Sequence, residues 1–314
     1  MTGVIGAALQ VILVAVGSPL LVGVMRQVHA RLEGRAGAGI AQPWRDLRKL
    51  MRKEAVAPRG TGWVFRAAPP LLAGTALVVA AVVPLVTTDS PLDGVADLFA
   101  VPALLALGSV ALALGALDTG TAFGGMGASR EMTVLALVEP TILVSTFALS
   151  IGVRSTSLGA IVTAAAGHPL SVLSPVSVLA SVALAIVTLA ETGRIPVDNP
   201  STHLELTMIH EATVLEYAGP DLALIEWASA MRLSVLLGLL AGLFVPLGMA
   251  GAGAGVLALP LAMVALVVKV GLLGVLLAAG EVFMAKLRLF RVPELLAGSF
   301  LLALLAVTAS FFLT

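Results

Sequence analysis

A carboxylate in the middle of an apolar helix is suited to carrying protons, and this sequence holds one at Glu139, in the segment ALVEP. Pro140 follows it directly and locally loosens the backbone ladder. A charge at that depth costs about 2.5–3.5 kcal/mol on insertion scales, so the side chain is expected to face the bundle interior or water. Proton relay is the chemistry it suits, and a structural glutamate satisfied by neighbouring helices is the plainer alternative. Arg130 and Glu131 stand about two turns earlier in the same segment. Lys269 and Glu281 are further ionisable groups in an apolar run, and a lysine so placed can snorkel or pair with a carboxylate.

A second concentration of acids lies in LAETGRIPVDNPSTHLELTMIHEATVLEYAG, residues 189–219, where Glu191, Asp198, Glu205, Glu211 and Glu216 are followed by Asp221 and Glu226. Glu205 and Glu216 are eleven residues apart, which returns to nearly the same helix face. Crowded carboxylates raise one another's pKa values, so proton uptake and release near neutral pH is one use of such a loop. A solvated acidic loop is the other. Thr202 and Glu205 also have the spacing of a capping box, a purely structural role.

Two apparent motifs fail. His210-Glu211 begins like a zinc-protease helix, but Val214 stands where the second histidine belongs. The glycines at 124–127 lack the strand, lysine and spacing of a phosphate-binding loop. His203 and His210 are therefore expected to be hydrogen-bonding residues rather than ligands.

These groups need a bundle to position them. The 314 residues are 59% hydrophobic and 11% charged, with mean hydropathy +1.07, whereas soluble domains carry roughly 25% charged residues. A helix needs about 20 apolar residues to cross a bilayer. Eight stretches qualify: Gly3 to Val24, Ala67 to Thr87, Leu98 to Leu117, Met132 to Val153, Val176 to Ala190 (the shortest), Leu233 to Ala250, Val256 to Gly280 and Leu295 to Leu313. The fold class expected is an all-α integral membrane bundle of about eight transmembrane helices, one membrane domain over residues 1–314. The basic cluster follows the first apolar stretch, so that stretch reads as a retained helix rather than a signal peptide. The run Gly251 to Gly255 reads as a tight connection.

Charge placement gives sidedness. Lys and Arg number ten in the first connection (Arg26 to Arg66), one in the third, two in the fifth (Arg194, Arg232) and three in the seventh (Lys286, Arg288, Arg291); the even connections hold only Arg154. By the positive-inside rule the odd connections face the cytoplasm and both termini lie outside. With 18 basic and 18 acidic residues, nothing suggests nucleic acid. The chain has no cysteine, which excludes a thiolate-ligated iron–sulfur cluster within it. In the first connection, Gln42-Pro43 opens a helical stretch with an apolar stripe of Trp44, Leu47, Leu50 and Met51. Arg45, Arg48, Lys49, Arg52 and Lys53 take the other faces, suiting anionic lipid or a peripheral subunit.

Four blocks, ARLEGRAGAGIAQPWRDLRKLMRKE, ALVEP, LAETGRIPVDNPSTHLELTMIHEATVLEYAG and EVFMAKLRLFRVP, resemble the membrane subunit of energy-converting group 4 NiFe hydrogenases and formate hydrogenlyases, within the superfamily of complex I subunit 1. The similarity covers essentially the whole chain. The fifth connection looks like the hydrogenase branch, since the complex I branch typically carries an Asn-Arg-Ala-Pro-Phe-Asp pattern there. One departure is Ala38, where relatives usually have proline.

The resemblance implies a subunit without cofactors, with the NiFe centre and iron–sulfur clusters in partner subunits. Those partners would be hydrogenase-like large and small subunits, an iron–sulfur subunit and antiporter-like membrane subunits, in a bacterial or archaeal cell membrane. It implies that Glu131, Glu139 and Glu191 are buried glutamates of a lateral proton path, and that Asp198, Glu205, Glu211 and Glu216 face the redox module. Two other readings remain open: a quinone-chamber subunit of an NADH-quinone oxidoreductase, and a stand-alone secondary transporter using the same buried groups.

Overall fold

The computed structural model describes residues 2–88, 92–168, 172–198, 208–251, 255, 257–285, 287 and 291–313. The described residues form helices α1 (Thr2–Leu32), α2 (Gln42–Leu50), α3 (Trp63–Val82), α4 (Ala100–Asp118), α5 (Ala122–Val153), α6 (Leu158–Gly167), α7 (Pro175–Glu191), α8 (His210–Val214), α9 (Gly219–Phe244), α10 (Ala258–Phe283) and α11 (Val292–Leu313). Apart from two isolated bridges, no strand occurs among these residues. Seven helices, α1, α3, α4, α5, α9, α10 and α11, are long and apolar enough to cross a membrane. The expected fifth span is the 17-residue α7, roughly 26 Å long and at the short end of what crosses.

The centre of the bundle is α9, whose side chains are mostly buried. It packs against α1, α3, α7 and α10, while α3 pairs with α4 and α11 lies against α5 and α7. The outer helices keep apolar faces exposed: Leu261, Val264, Val268 and Leu272 on α10, and Leu301, Leu304 and Leu305 on α11. Without a hydrophobic drive between helices in lipid, close approach depends on small residues. Gly127 on α5 shows this, because a Cβ there would sit 2.8 Å from the Thr213 nitrogen of α8.

Several boundaries depart from the sequence reading. Helix α5 begins at Ala122 rather than Met132, so Arg130 and Glu131 lie within it and not in a loop. Helix α9 begins at Gly219 rather than Leu233, which moves Asp221, Glu226 and Arg232 out of the fifth connection. Both errors have one cause: a hydropathy window stops at charged residues, whereas a helix does not. An additional short helix, α6, lies in the fourth connection. Helix α2 ends at Leu50, so Arg52 and Lys53 follow it, and Met51 is 54% exposed instead of completing the apolar stripe. Pro43 and Leu47 form its buried edge, and Arg45, Arg48 and Lys49 are exposed as expected. The common face supposed for Glu205 and Glu216 is not supported, because the helix ends at Val214, before Glu216. Thr202, His203 and Glu205 lie outside the described residues, as do Lys286, Arg288 and residues 252–254.

The end of the bundle that carries the first, third, fifth and seventh connections is held by backbone-seeking side chains. Asp118 at the end of α4 accepts from Gly62 N at 2.6 Å and Phe65 N at 3.1 Å, supplying the acceptor that the first turn of α3 lacks. Tyr217 stacks on Phe65 with ring centroids 4.1 Å apart, and its hydroxyl donates to Phe65 O at 3.2 Å. Burial, with Asp221 and Asp118 nearby, pushes the Tyr217 phenol well above its ordinary pKa, so it stays a donor. Gly219 follows with φ +59°, where an added Cβ would lie 2.4 Å from Glu54 O. This contact seats α9 beneath the first connection. Tyr217→Phe keeps the stacking and removes one neutral hydrogen bond, so a loss of about 1 kcal/mol is expected. Thermal unfolding in detergent checks it, and a loss above twice that would assign Tyr217 more than this bond.

Candidate functional site

The described start of the acidic fifth connection, residues 192–198, is a compact turn on the end of α7. Arg194 N donates to Leu189 O, and Val197 N and Asp198 N donate to Arg194 O; Gly193 takes φ +58° and Ile195-Pro196 is cis. The turn delivers Asp198, only 3% exposed, to the start of α8. There its carboxylate accepts from Ile209 N at 3.2 Å and His210 N at 3.1 Å. Those are N-terminal donors that the helix itself cannot satisfy. Arg130 on α5 reaches across to Met208 O at 2.7 Å, tying the same segment to the bundle.

Glu131, Glu191, Asp198 and His210 then surround a cleft closed by Val134, Ala190, Gly193, Val197 and Ile209. Its volume is ≈ 10 Å³, about the room one water needs. Three carboxylates and an imidazole around such a space can exchange a proton through a single bridging water. Glu139 lies eight residues beyond Glu131 on α5, roughly 12 Å further along the axis, and is half-buried. Both α5 glutamates are within electrostatic reach of Glu191. The three expected path glutamates are therefore brought to one region.

On its inner side Glu191 forms an ion pair with Arg232 of α9, with side chains 4% and 8% exposed. The same guanidinium donates to Ser109 Oγ at 2.7 Å and Leu105 O at 3.1 Å on α4, while its Nε is buried without a partner. The arrangement couples charge to position. A proton arriving on Glu191 cancels the charge that compensates Arg232, and a lone buried charge is costly, so the guanidinium must move or find another anion. Arg232, the buried partner of Glu191, is the candidate site residue that sequence reasoning places in a loop. The signal was present: no Pro or Gly interrupts residues 221–237, so the helix runs through the arginine.

A second network lies on the α1 and α10 side. Glu281, 8% exposed, is 3.6 Å from Arg194 and 3.8 Å from His29 Nδ1. His29 Nε2 lies 3.0 Å from Glu33, which also pairs with Arg35. The Arg35 hydrogen bond, with His29 nearby, holds the Glu33 carboxyl below its ordinary value. Arg194 thus joins the acidic turn to Glu281, and Leu287 N donates to Pro196 O at 2.9 Å, adding the seventh connection. Lys269 is elsewhere. Its Nζ donates to Val245 O at 3.1 Å, at the end of α9, where an ammonium complements the helix dipole. It lies twelve residues from Glu281, roughly 18 Å along α10. Of the redox-facing candidates, Arg194, Asp198, Glu211 and Glu216 lie on this end of the molecule, and Glu205 is outside the described residues. No group of three or more metal-binding side chains occurs among the described residues.

The family model described as NADH dehydrogenase matches residues 5–312. Formate hydrogenlyase subunit 4 of Escherichia coli is 36% identical over 292 residues, 92% of both chains. Hydrogenase-4 component C of the same organism is 38% identical over 247 residues, 79% of this chain and 77% of the other. A subunit of the NADH-quinone oxidoreductase of Syntrophobacter fumaroxidans is 32% identical over 245 residues, 71% of each. In fold, the chain matches one in the membrane-bound sulfane sulfur reductase, an archaeal respiratory membrane complex, with TM-score 0.83 and 20% identity over 98% of both chains. The chain is thus a multi-pass membrane protein of the NADH dehydrogenase family, in the group that includes formate hydrogenlyase subunit 4 and hydrogenase-4 component C.

Proposed function

We propose that this chain is the membrane-anchoring and proton-coupling subunit of a formate hydrogenlyase-like or energy-converting NiFe hydrogenase complex. The chain itself carries no redox centre; the NiFe site and iron–sulfur clusters belong to hydrogenase-like large and small subunits and an iron–sulfur subunit. Those subunits dock on the end bearing α2 and the acidic turn, which faces the cytoplasm and leaves both termini outside. Arg45, Arg48 and Lys49, with Arg52 and Lys53 beyond the helix, supply the basic surface for docking or anionic lipid. Antiporter-like membrane subunits receive the coupled charge laterally.

One observation carries the mechanism: a one-water cleft between Glu131, Asp198, His210 and Glu191, with Glu191 paired on its far side to buried Arg232. The acidic turn is positioned to respond to redox turnover, and Glu191 is positioned to pass that change on by exchanging a proton against the guanidinium. Glu139 is the next carboxylate along α5. Glu139→Gln and Glu191→Gln are each expected to abolish proton movement coupled to turnover while electron transfer persists in uncoupled vesicles. Unchanged proton movement in both would sink the proposal. Identity of the complex is tested by mild-detergent purification through this chain, with nickel, iron, flavin and quinone measured. Nickel and iron without quinone is expected; flavin with bound quinone would assign the chain to a quinone-reducing complex.

A further inference from the structure

Helix α1 is interrupted chemically at its middle. Pro19 is buried within it, and a proline has no N–H for the carbonyl four residues earlier. That carbonyl belongs to Ala15, and the apolar core of a bilayer offers no water to replace the donor. The indole of Trp227 on α9 replaces it, with Nε1 donating to Ala15 O at 2.8 Å. The next carbonyl along, Val16 O, accepts from the indole of Trp44 on α2 at 3.1 Å. Two of the three tryptophans of the chain are thus committed to adjacent carbonyls of one interrupted helix. The third, Trp63, is 78% exposed.

A second donor is at hand. Ser18, beside the proline, is buried with its hydroxyl unpartnered. A helical serine can bond back to the carbonyl three or four residues earlier, here Ala15 or Val14. Ala15 O therefore has two available partners, the Trp227 indole in the state seen and the Ser18 hydroxyl once the indole leaves. A helix missing a rung bends most easily at that level, so an exchange of the side chain that holds Ala15 O would be felt there as a change of bend.

Both ends of this joint lead somewhere. Helix α2 packs on α1 and α9, and the chain just before it abuts α1 so closely that a Cβ on Gly23 would lie 1.9 Å from Ile40 O. Trp227 precedes Arg232 by five residues on the same unbroken helix, roughly 7.5 Å along the axis. We infer that Trp227 and Trp44 are positioning residues that clamp the Pro19 joint of α1, with Ser18 as the alternative donor, and thereby link the basic surface helix α2 to the Arg232–Glu191 pair. The inference rests on the reading that Glu191 exchanges the coupled proton. A displacement of α2 reaches α1 through Trp44, changes the bend at Pro19, and shifts α9 through Trp227.

The test uses the intact complex, purified through this chain and reconstituted in vesicles, with proton movement per electron measured beside turnover in uncoupled vesicles. Trp227→Phe removes the N–H and keeps the ring. It is expected to lower proton movement per electron roughly 2- to 30-fold, the range for a coupling residue that touches neither end, with uncoupled turnover unchanged. Pro19→Ala restores the missing backbone donor. Combined with Trp227→Phe it should recover thermal stability but not coupling, since a satisfied carbonyl no longer reports on α9. Recovery of coupling in that double variant would mean the indole is only a cap, and the inference falls. Ser18→Ala tests the same joint without touching α9; it deletes the second state, and wild-type coupling in it also overturns the inference. Glu191→Gln separates the two levels. Full proton movement in Glu191→Gln removes the underlying reading, whereas its loss there beside normal coupling in Trp227→Phe removes only the clamp.

Discussion

Arg232→Met should lower the stability of the folded chain by about 3–5 kcal/mol, because it strands Glu191 as an uncompensated buried charge. The guanidinium joins three helices, reaching Glu191 on α7 and both Leu105 O and Ser109 Oγ on α4 from its own position on α9. Its removal therefore costs more than one ion pair at the surface would, where the gain is about 0–1 kcal/mol. The double variant Arg232→Met/Glu191→Gln is expected to recover most of the loss, since two neutral side chains of similar size replace a desolvated pair at little net cost. Thermal unfolding of the purified chain in detergent, read as a double-mutant cycle, separates the coupling from the two single effects. A single variant as stable as the wild type would show that water reaches Glu191, and the pair could not then restrain a proton.

The same pair shows why some of the site was legible in the sequence and some was not. Carboxylates stand out against an apolar background, so Glu139, Glu191 and Glu281 are visible in the sequence alone, and Gly193 and Pro196 mark the turn that gathers Asp198 and Arg194. Arg232 is harder because periodic hydropathy fades over GPDLALIEWASAMR, so hydropathy alone assigns the start of α9 to a loop. What decides there is the absence of any helix breaker after Pro220, which itself suits the first turn of a helix, and not the mean polarity. The partner of each carboxylate is a tertiary fact. Nothing local distinguishes Glu281, held by Arg194 and His29, from Glu139, which lies half-buried on α5 without a salt bridge among the described residues. Lys269 belongs with them by charge in the sequence and is separated from them by geometry, because its reach is toward the end of α9. The glycines at 124–127 carry no local mark of their use in packing, which becomes visible only with α8 in place against Gly127.

The largest contribution overlooked in the sequence comes from a neutral residue. Gln10 on α1 is 3% exposed, and its amide serves four backbone groups where α3 ends. Its Nε2 donates to Ala80 O and Val83 O, both at 2.7 Å, and its Oε1 accepts from Leu85 N at 3.1 Å and Val86 N at 3.0 Å. Pro84 follows the last turn of α3 and forbids its continuation, so these donors and acceptors have no helical partners. One planar amide with two donors and one bifurcated acceptor meets all four. Beside it, Val86 O accepts from Ala250 N at 3.0 Å, which ties the connection after α9 to the same point. Gln10→Met conserves volume and deletes every one of these bonds. Each stranded backbone group costs about 1–3 kcal/mol when no water can reach it, and partial relaxation of the connection lowers the sum, so a loss of about 3–5 kcal/mol is expected. Thermal unfolding gives the magnitude, and hydrogen exchange at the Leu85 and Val86 amides gives the location. Faster exchange confined to that connection supports the assignment; unchanged exchange at both amides would show that other groups satisfy them. Gln10→Glu is the discriminating companion. It keeps the acceptor and loses the two donors, so the two amides should remain protected while the ends of α3 and α1 separate. The graded outcome follows from hydrogen bonding together with the cost of a buried carboxylate, and owes nothing to side-chain bulk.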